Sequence, residues 1–372
     1  VKATGLRIGL VGPLPPPSGG MANQTLQLAK LLREEDATVE VIQVNRPYSP
    51  HWIGRFKGIR AVFRLLPYLL QLWRSANNVQ LFHVMANSGW SWHLFAAPAI
   101  WIASIKGKPV IVNYRGGEAD SFFNKAFSWI KPSLSRVDAI IVPSGFLEAV
   151  FAKRGFPTHI VPNIIDLDRF QGEANFNASP KADFPNIIVT RNLEPIYDNA
   201  TAIRAFSMVR RTFPTAKLVL AGSGPERRTL EKLANGLGLA DAVIFTGRVD
   251  NEGMAALYHS ADIMINPSLV DNMPISVLEA LASGVPVVST DVGGVPYLVE
   301  HGKTALLVPV QDPEAMAHAI LVLLNDRAKA EQMSKAGIAS VQQYTWPNVR
   351  ERLLLVYGQV LTKPDRAMVS TK

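Results

Sequence analysis

Short apolar runs recur along the whole chain, and each is followed by a polar or glycine-bearing loop and then by residues of helical periodicity. Arg7-Ile8-Gly9-Leu10-Val11-Gly12 is the first, and residues 39–44, 81–84, 109–113 and 139–142 continue the series. After a gap it resumes at 186–190, 217–221, 243–245, 263–265 and 285–289. Strands that short and apolar, separated by helices, predict parallel sheets covered on both faces, because parallel neighbours need a crossover and the crossover helix buries the sheet. A chain of 372 residues supports two such domains of roughly 150–200 residues each. The expected division is 1–165, a linker over 166–185 rich in Asn, Pro and small residues, 186–345, and a C-terminal helix and tail over 346–372.

Residues 261–300 hold the densest chemistry. Ile263 opens a strand that leads into Asn266-Pro267-Ser268-Leu269-Val270-Asp271-Asn272-Met273-Pro274-Ile275. A helix is expected from about Pro274, where proline's fixed φ and missing donor are tolerated. Open N–H groups at such a helix start form an anion site, so the carboxylate of Asp271 beside it needs a reason. Asp271 reads either as a cap of the helix or loop or as a group facing a ligand, and Glu279 either as a solvated face residue or as a buried acid. Glu279 sits in Val277-Leu278-Glu279-Ala280-Leu281, on a helix apolar enough to be buried. A buried carboxylate needs hydrogen-bonding partners, and a ligand with hydroxyl groups would supply them.

Four further loops carry candidates. The first strand runs into a Pro-rich loop ending at Gly19 and Gly20, with neither the G-x-G-x-x-G nor the G-x-x-x-x-G-K-[ST] spacing. The strand at 109–113 delivers Arg115, and the strand at 186–190 delivers Arg191, each at a carboxyl end where open α/β sheets bind ligands. The strand at 217–221 ends in Gly222-Ser223-Gly224-Pro225, a turn able to cradle a phosphate or sugar, though glycine also marks ordinary turns. His83 and His93 have no partner at ligand spacing and read as core or face residues, and no metal site is expected.

Charge separates the halves. The first 180 residues carry 19 Lys and Arg against 11 Asp and Glu, whereas the remainder carries 19 of each, so the net +8 lies in the first half. That asymmetry predicts an anionic partner there. Residues 52–74 interleave Arg55, Lys57, Arg60, Arg64 and Arg74 with Trp52, Phe56, Ile59, Val62, Phe63, Leu65, Leu66, Leu69, Leu70 and Leu72, as a basic amphipathic segment broken at Pro67. One reading packs a face on its own domain; the other inserts it shallowly into an anionic membrane surface. Nucleic acid fits poorly, since the segment is too aliphatic for a groove and no helix-turn-helix or zinc spacing occurs. The absence of cysteine excludes disulfides and thiolate chemistry and suits a reducing compartment. The opening residues run straight into a strand, predicting no secretory leader, and charge or proline interrupts every long apolar stretch before it could span a bilayer.

Taken together these motifs resemble glycosyltransferase family 4, nucleotide-sugar-dependent transferases of the GT-B fold. The resemblance covers nearly the whole chain. It implies two Rossmann-like α/β/α domains facing across a deep cleft, with a C-terminal helix crossing back to the first domain. The family's Glu-x7-Glu pair corresponds to Asp271 and Glu279, the first contacting the sugar and the second the nucleotide ribose. Its Gly-x-Gly-Pro donor turn corresponds to Gly222, Gly224 and Pro225, and its Gly-Gly loop to Gly19 and Gly20. Its Pro-Asn-Gly-x-Asp motif appears as Pro162-Asn163-Ile164-Ile165-Asp166, without the glycine. Asn272, Met273, Pro274 and Ile275 would form the donor-binding segment, with N–H groups offered by Asn272, Met273 and Ile275. Two departures stand out. Ile196-Tyr197-Asp198 occupies the region of the second of two diphosphate-binding cations, and Arg115 aligns where a histidine is common.

The resemblance implies a metal-independent, retaining hexosyltransferase (EC 2.4) acting in polysaccharide or glycolipid biosynthesis. Arg115, Arg191 and Asp271 would be catalytic, and a UDP- or GDP-sugar would be the donor, with no other cofactor. The acceptor would be a saccharide or a lipid-linked glycan. The chain is expected in the cytoplasm, with peripheral contact at an anionic membrane through 52–74. The competing class is a non-catalytic sugar-nucleotide or glycan-binding protein of the same fold. An epimerase or phosphorylase is disfavoured, since the first lacks an obvious catalytic carboxylate pair in the cleft and no cofactor lysine can be placed for the second.

Overall fold

In the computed structural model the apolar runs pair into two six-stranded sheets, both parallel throughout. The structure describes residues 3–16, 19–47, 59–171 and 184–362. Two compact units result, residues 1–163 with 349–372 and residues 164–348.

The first unit alternates β1 (Arg7–Gly12), α1 (Gly20–Glu34), β2 (Thr38–Gln43), α2 (Ile59–Ser75) and β3 (Leu81–Ala86). It continues with α3 (Ala97–Ile105), β4 (Val110–Tyr114), α4 (Ala119–Leu134), β5 (Ala139–Val142), α5 (Gly145–Ala152) and β6 (His159–Ile160). The strand order is β2-β1-β3-β4-β5-β6. Inner strands such as β3 and β5 are buried at every position, whereas β2, at one edge, is buried only at Val39 and Ile42 and carries Glu40. That contrast is what burial on both faces demands of a parallel sheet.

The second unit contains α6 (Leu167–Phe170), β7 (Asn186–Val189), α7 (Asn199–Thr212), β8 (Lys217–Leu220), α8 (Arg227–Gly236) and β9 (Val243–Phe245). Next come α9 (Asn251–Ser260), β10 (Ile263–Asn266), α10 (Ile275–Ala282), β11 (Val287–Thr290), α11 (Val295–Leu298) and β12 (Leu306–Val308). Helices α12 (Pro313–Asn325) and α13 (Arg327–Val341) complete it. Its order, β12-β11-β10-β7-β8-β9, reverses direction between the neighbours β7 and β10. Open α/β sheets bind ligands outside the carboxyl ends of strands at such a reversal.

The last helix, α14 (Trp346–Leu361), belongs to the first unit from Val349 onward. It is fastened there by Arg350, which donates to Glu35 at 2.7 Å, and by Tyr357, fully buried against His83.

One expectation fails. Helix α2 runs through Pro67 without a break. Pro67, Phe63 and Leu66 are all exposed, so the carbonyl that loses its intrahelical partner lies on the side open to water. Trp52, Arg55, Phe56 and Lys57 lie outside the described residues, as does 172–183 of the expected linker.

Candidate active site

The carboxyl ends of β7 and β10 supply the principal residues. Strand β7 ends two residues before Arg191, and β10 leads through a buried loop to Asp271 and α10. That loop is rigid for a clear reason: its polar groups satisfy one another. The Ser268 hydroxyl donates to Asn266 Oδ1 at 2.9 Å, and the Asn266 amide donates to Ser289 Oγ at 3.0 Å. Thr290 Oγ1 donates to the Ser268 carbonyl at 2.6 Å, and the Gly294 N–H donates to the Asp271 carbonyl at 3.0 Å. Buried polar networks satisfied in this way hold one geometry.

Arg191 and Asp271 form an ion pair at 2.7 Å with side chains only 12 % and 10 % exposed. Asp271 Oδ1 also accepts from the Asn272 N–H at 3.0 Å, which closes its loop. Thus Asp271 turns the loop and holds a cation, while α10 begins at Pro274 without any side-chain cap. Arg191 further donates to Ser276 Oγ at 3.3 Å, and its Nε–H is buried with no partner among the described residues. A guanidinium has five N–H donors, so capacity remains for an anion.

Tyr197, which the sequence marks only as standing in the region of a second cation, packs on Arg191. It ends a short 3-10 turn, Pro195–Tyr197, and its ring lies 4.1 Å from the Arg191 guanidinium carbon. The turn is pinned by Leu269, whose N–H donates to the Ile196 carbonyl at 2.9 Å. Asp198, held at φ 39°, caps α7 through Thr201. An aromatic ring therefore stands where the resemblance puts a second cation, and it holds the first cation in place. Tyr197→Leu should lower donor kcat/KM by about 2- to 30-fold, the range of cation–π stabilisation, while Tyr197→Phe keeps most activity. Steady-state kinetics on both variants checks this; an unimpaired leucine variant would remove the stacking role.

Glu279 lies one turn further along α10 than Ser276. Its Oε2 is 3.1 Å from the Tyr258 hydroxyl, which also meets the Ser276 carbonyl at 3.0 Å and Thr190 Oγ1 at 2.7 Å. The phenol has one proton for two acceptors, so Thr190 must be the donor in its own contact. Burial pushes the Glu279 carboxyl up to about 7, opposed by the Tyr258 hydrogen bond and by the charges of Arg169 and Arg191. Nothing in the sequence around Tyr258 marks it, since helix α9 reads as an ordinary packed helix.

Around these groups Asn272, Met273 and Pro274 are buried and Ile275 is half-buried. Gly222 and Gly224 have a packing reason of their own. A Cβ at Gly222 would sit 2.1 Å from the Arg191 carbonyl oxygen, and one at Gly224 would sit 2.2 Å from that of Leu193. These glycines let the β8 turn press against the segment that carries Arg191, and Pro225 beside them is exposed. Gly19 differs. It is the extended N-cap of α1, and a Cβ there would meet nothing within 4 Å among the described residues. Gly20 follows as the first, exposed residue of that helix.

Arg115 belongs to the first unit, beyond β4. Its Nε donates to Asn113 Oδ1 at 2.7 Å, and its Nη1 donates to Asn163 Oδ1. The Asn113 amide then faces His83 Nε2 at 2.9 Å, so Nδ1 of that ring carries the proton and donates to the Tyr357 hydroxyl at 2.8 Å. Burial and the Arg115 charge pull His83 down to about 3, keeping it neutral. Burial lowers Arg115 to about 9, so it stays cationic at neutral pH. His83 is thus a satisfied core group, as its sequence context predicts. Among the described residues no three His, Asp or Glu side chains converge as metal ligands.

Family profiles match both halves of the chain. A family profile described as "Glycosyltransferase Family 4" matches residues 18–169, and one described as "Glycosyl transferases group 1" matches residues 172–340. A GDP-mannose-dependent alpha-(1-6)-phosphatidylinositol monomannoside mannosyltransferase of Mycobacterium tuberculosis is 32 % identical over 58 % of this chain. That match spans 60 % of the relative's own length. A phosphatidyl-myo-inositol mannosyltransferase of Mycobacterium leprae is 24 % identical over 98 % of this chain and 100 % of its own. Among solved structures, a sucrose-phosphate synthase from Thermosynechococcus elongatus superposes with TM-score 0.73 at 22 % identity, covering 95 % of this chain and 99 % of that one. That likeness shows a shared GT-B fold. With both profiles together spanning nearly all of the chain, the protein belongs to the glycosyl transferases group 1, glycosyltransferase family 4.

Proposed function

We propose that this glycosyltransferase moves a hexose from a nucleoside diphosphate sugar to a lipid-linked or saccharide acceptor with retention at the anomeric carbon. The observation that carries the proposal is the buried Arg191–Asp271 pair, with spare Arg191 donors, at the strand reversal beside the uncapped start of α10. Arg191 and the amides around 272–275 bind the donor diphosphate, Asp271 positions the sugar, and Glu279 accepts from the ribose hydroxyls. Gly222, Gly224 and Pro225 shape the donor turn. Arg115 is proposed as an anion-binding cation of the first unit, and Gly19 and Gly20 as the close-approach point of its first loop.

In the reaction the bond from the anomeric carbon to the phosphate oxygen breaks with its electron pair going to the phosphate. The acceptor oxygen bonds on the same face, and its proton passes to the leaving phosphate. Guanidinium and amide donors stabilise the charge that develops on that phosphate. The names of the mycobacterial relatives favour a GDP-hexose donor and a lipid-linked acceptor, while a solved structure of similar fold, Anabaena HepE, holds UDP. The proposal includes peripheral contact with an anionic membrane at its cytoplasmic face through 52–74. No helix among the described residues is long and apolar enough to cross a membrane.

Incubation with UDP-, GDP- and ADP-hexoses, with and without a crude lipid-linked acceptor fraction, tests the proposal. Release of nucleoside diphosphate from a UDP- or GDP-hexose is expected, and faster release with acceptor. Tight nucleotide-sugar binding without release under either condition would leave the non-catalytic binding reading.

A further inference from the structure

We infer that helices α2, α3 and α4 together form a docking platform for the interface of an anionic lipid bilayer. The inference extends the proposed 52–74 contact onto two further helices and rests on that contact, not on the transfer reaction. Strand order puts the three helices side by side. The steps β2 to β3, β3 to β4 and β4 to β5 all advance in one direction across the sheet, whereas β1 to β2 goes the other way. Because such crossovers are right-handed, α2, α3 and α4 cover one face and α1 the other.

The outer side of that layer is apolar. On α2, Tyr68 and Leu72 point into the core, and a second stripe of Phe63, Leu66, Leu70 and Trp73 recurs at one helical face. Leu66 is 55 % exposed and Leu70 57 %. On α3, Trp101 and Ile105 are exposed one turn apart, Ile105 by 66 %. On α4, Trp129 is 80 % exposed, one turn before Ser133, which accepts from the Trp101 indole at 3.1 Å. The stripe on α2 therefore continues across α3 to α4. An exposed apolar patch of this extent marks an interaction surface.

Charge selects the occupant. Lys106 Nζ stands 3.9 Å over the Trp73 ring, and the Arg136 guanidinium carbon 3.7 Å over Trp101. Lys125 and Lys131 flank Trp129 along α4 and are exposed. No Asp or Glu occurs anywhere between Glu40 and Glu118. A second copy of this chain would bring like charges together, whereas anionic headgroups would neutralise them. Indoles beside cations suit the headgroup boundary, where an amphipathic ring sits between apolar and wet surroundings. Such a surface lies in the plane of the membrane.

The test uses the full chain with vesicles of phosphatidylcholine alone or mixed equally with phosphatidylglycerol. Trp129→Ser and Ile105→Asn both lie outside 52–74 and on exposed positions, and Leu70→Asn lies within it. Co-sedimentation should be at least about tenfold stronger with the anionic vesicles and weaken with salt. Each variant should lose binding several-fold, and the Trp129→Ser, Ile105→Asn double variant should lose most of it. Far-UV circular dichroism and donor hydrolysis, both unchanged, show the variants are folded. Equal binding to neutral vesicles overturns the inference. Full binding by the double variant, with loss only in Leu70→Asn, overturns the platform while leaving the 52–74 contact. Concentration-dependent dimerisation that the same substitutions abolish would assign the surface to a second copy instead.

Discussion

Arg191→Ala is expected to cut the transfer rate by about a hundred- to a thousand-fold, the usual consequence of removing one donor aimed at developing charge in a dry site. The expectation rests on geometry. Arg191 is buried, stacked on Tyr197 and paired with Asp271, yet keeps an unsatisfied Nε–H. Removing it also strands the Asp271 carboxylate, and breaking a buried pair from one side costs about 3–5 kcal/mol. The chemical and structural effects must therefore be separated. Arg191→Lys keeps the charge but cannot reach Asp271, Ser276 and a phosphate with one ammonium, so it should remain severely impaired. Asp271→Asn leaves Arg191 with a neutral partner, preserving more stability than Arg191→Ala while impairing sugar positioning. Single-turnover rates with thermal melts on the three variants decide the matter. Wild-type turnover in a folded Arg191→Ala protein would refute the diphosphate role.

Glu279 carries the second large effect, which is a pH dependence. Its carboxyl is raised from 4.5 to about 7, chiefly by burial. Between those values the folded chain keeps a proton that the unfolded chain has released, so stability falls as pH rises through that window. The loss is at most about 3 kcal/mol, from the size of the shift. Glu279→Gln, which cannot titrate, should flatten that slope in urea unfolding. Nucleotide binding has the opposite sign. Ribose hydroxyls donate to the ionised carboxylate, so binding favours proton loss and should tighten from about pH 5.5 to 7, then level off. Tyr258, Arg169 and Arg191 surround the group and already favour ionisation. Calorimetry in two buffers of different ionisation heat should register proton release near pH 6, and Glu279→Ala should bind at least about tenfold more weakly, the loss of charge-assisted hydrogen bonds. A flat affinity profile, or one that survives in Glu279→Gln, would refute the ribose assignment.

Much of this protein was legible in its sequence because parallel sheets buried on both faces announce themselves locally. Continuous apolar strands, helical periodicity between them and charged residues in the segments after strand ends are all short-range signals, and they single out Asp271, Glu279, Arg191 and Arg115 as candidates. The two glycines of the β8 turn were visible too, but their purpose was not. Only the structure shows a Cβ at Gly222 colliding with the Arg191 carbonyl. The same holds for Pro67, whose disruption of α2 was overestimated because sequence does not say which side of a helix faces water.

What tertiary structure alone decided are the partners. Tyr258 meets Glu279 from 21 residues away, Asp271 meets Arg191 from 80, and Tyr357 meets His83 from 274. No local pattern encodes such pairings, because strand order, not chain distance, brings β7 beside β10 and returns α14 to the first sheet. The sequence by itself determined the α/β class, the charge asymmetry and the acids and bases available for chemistry. The fold decided which charge is neutralised by which neighbour, since burial and hydrogen bonding act over ångströms of space and are indifferent to separation along the chain.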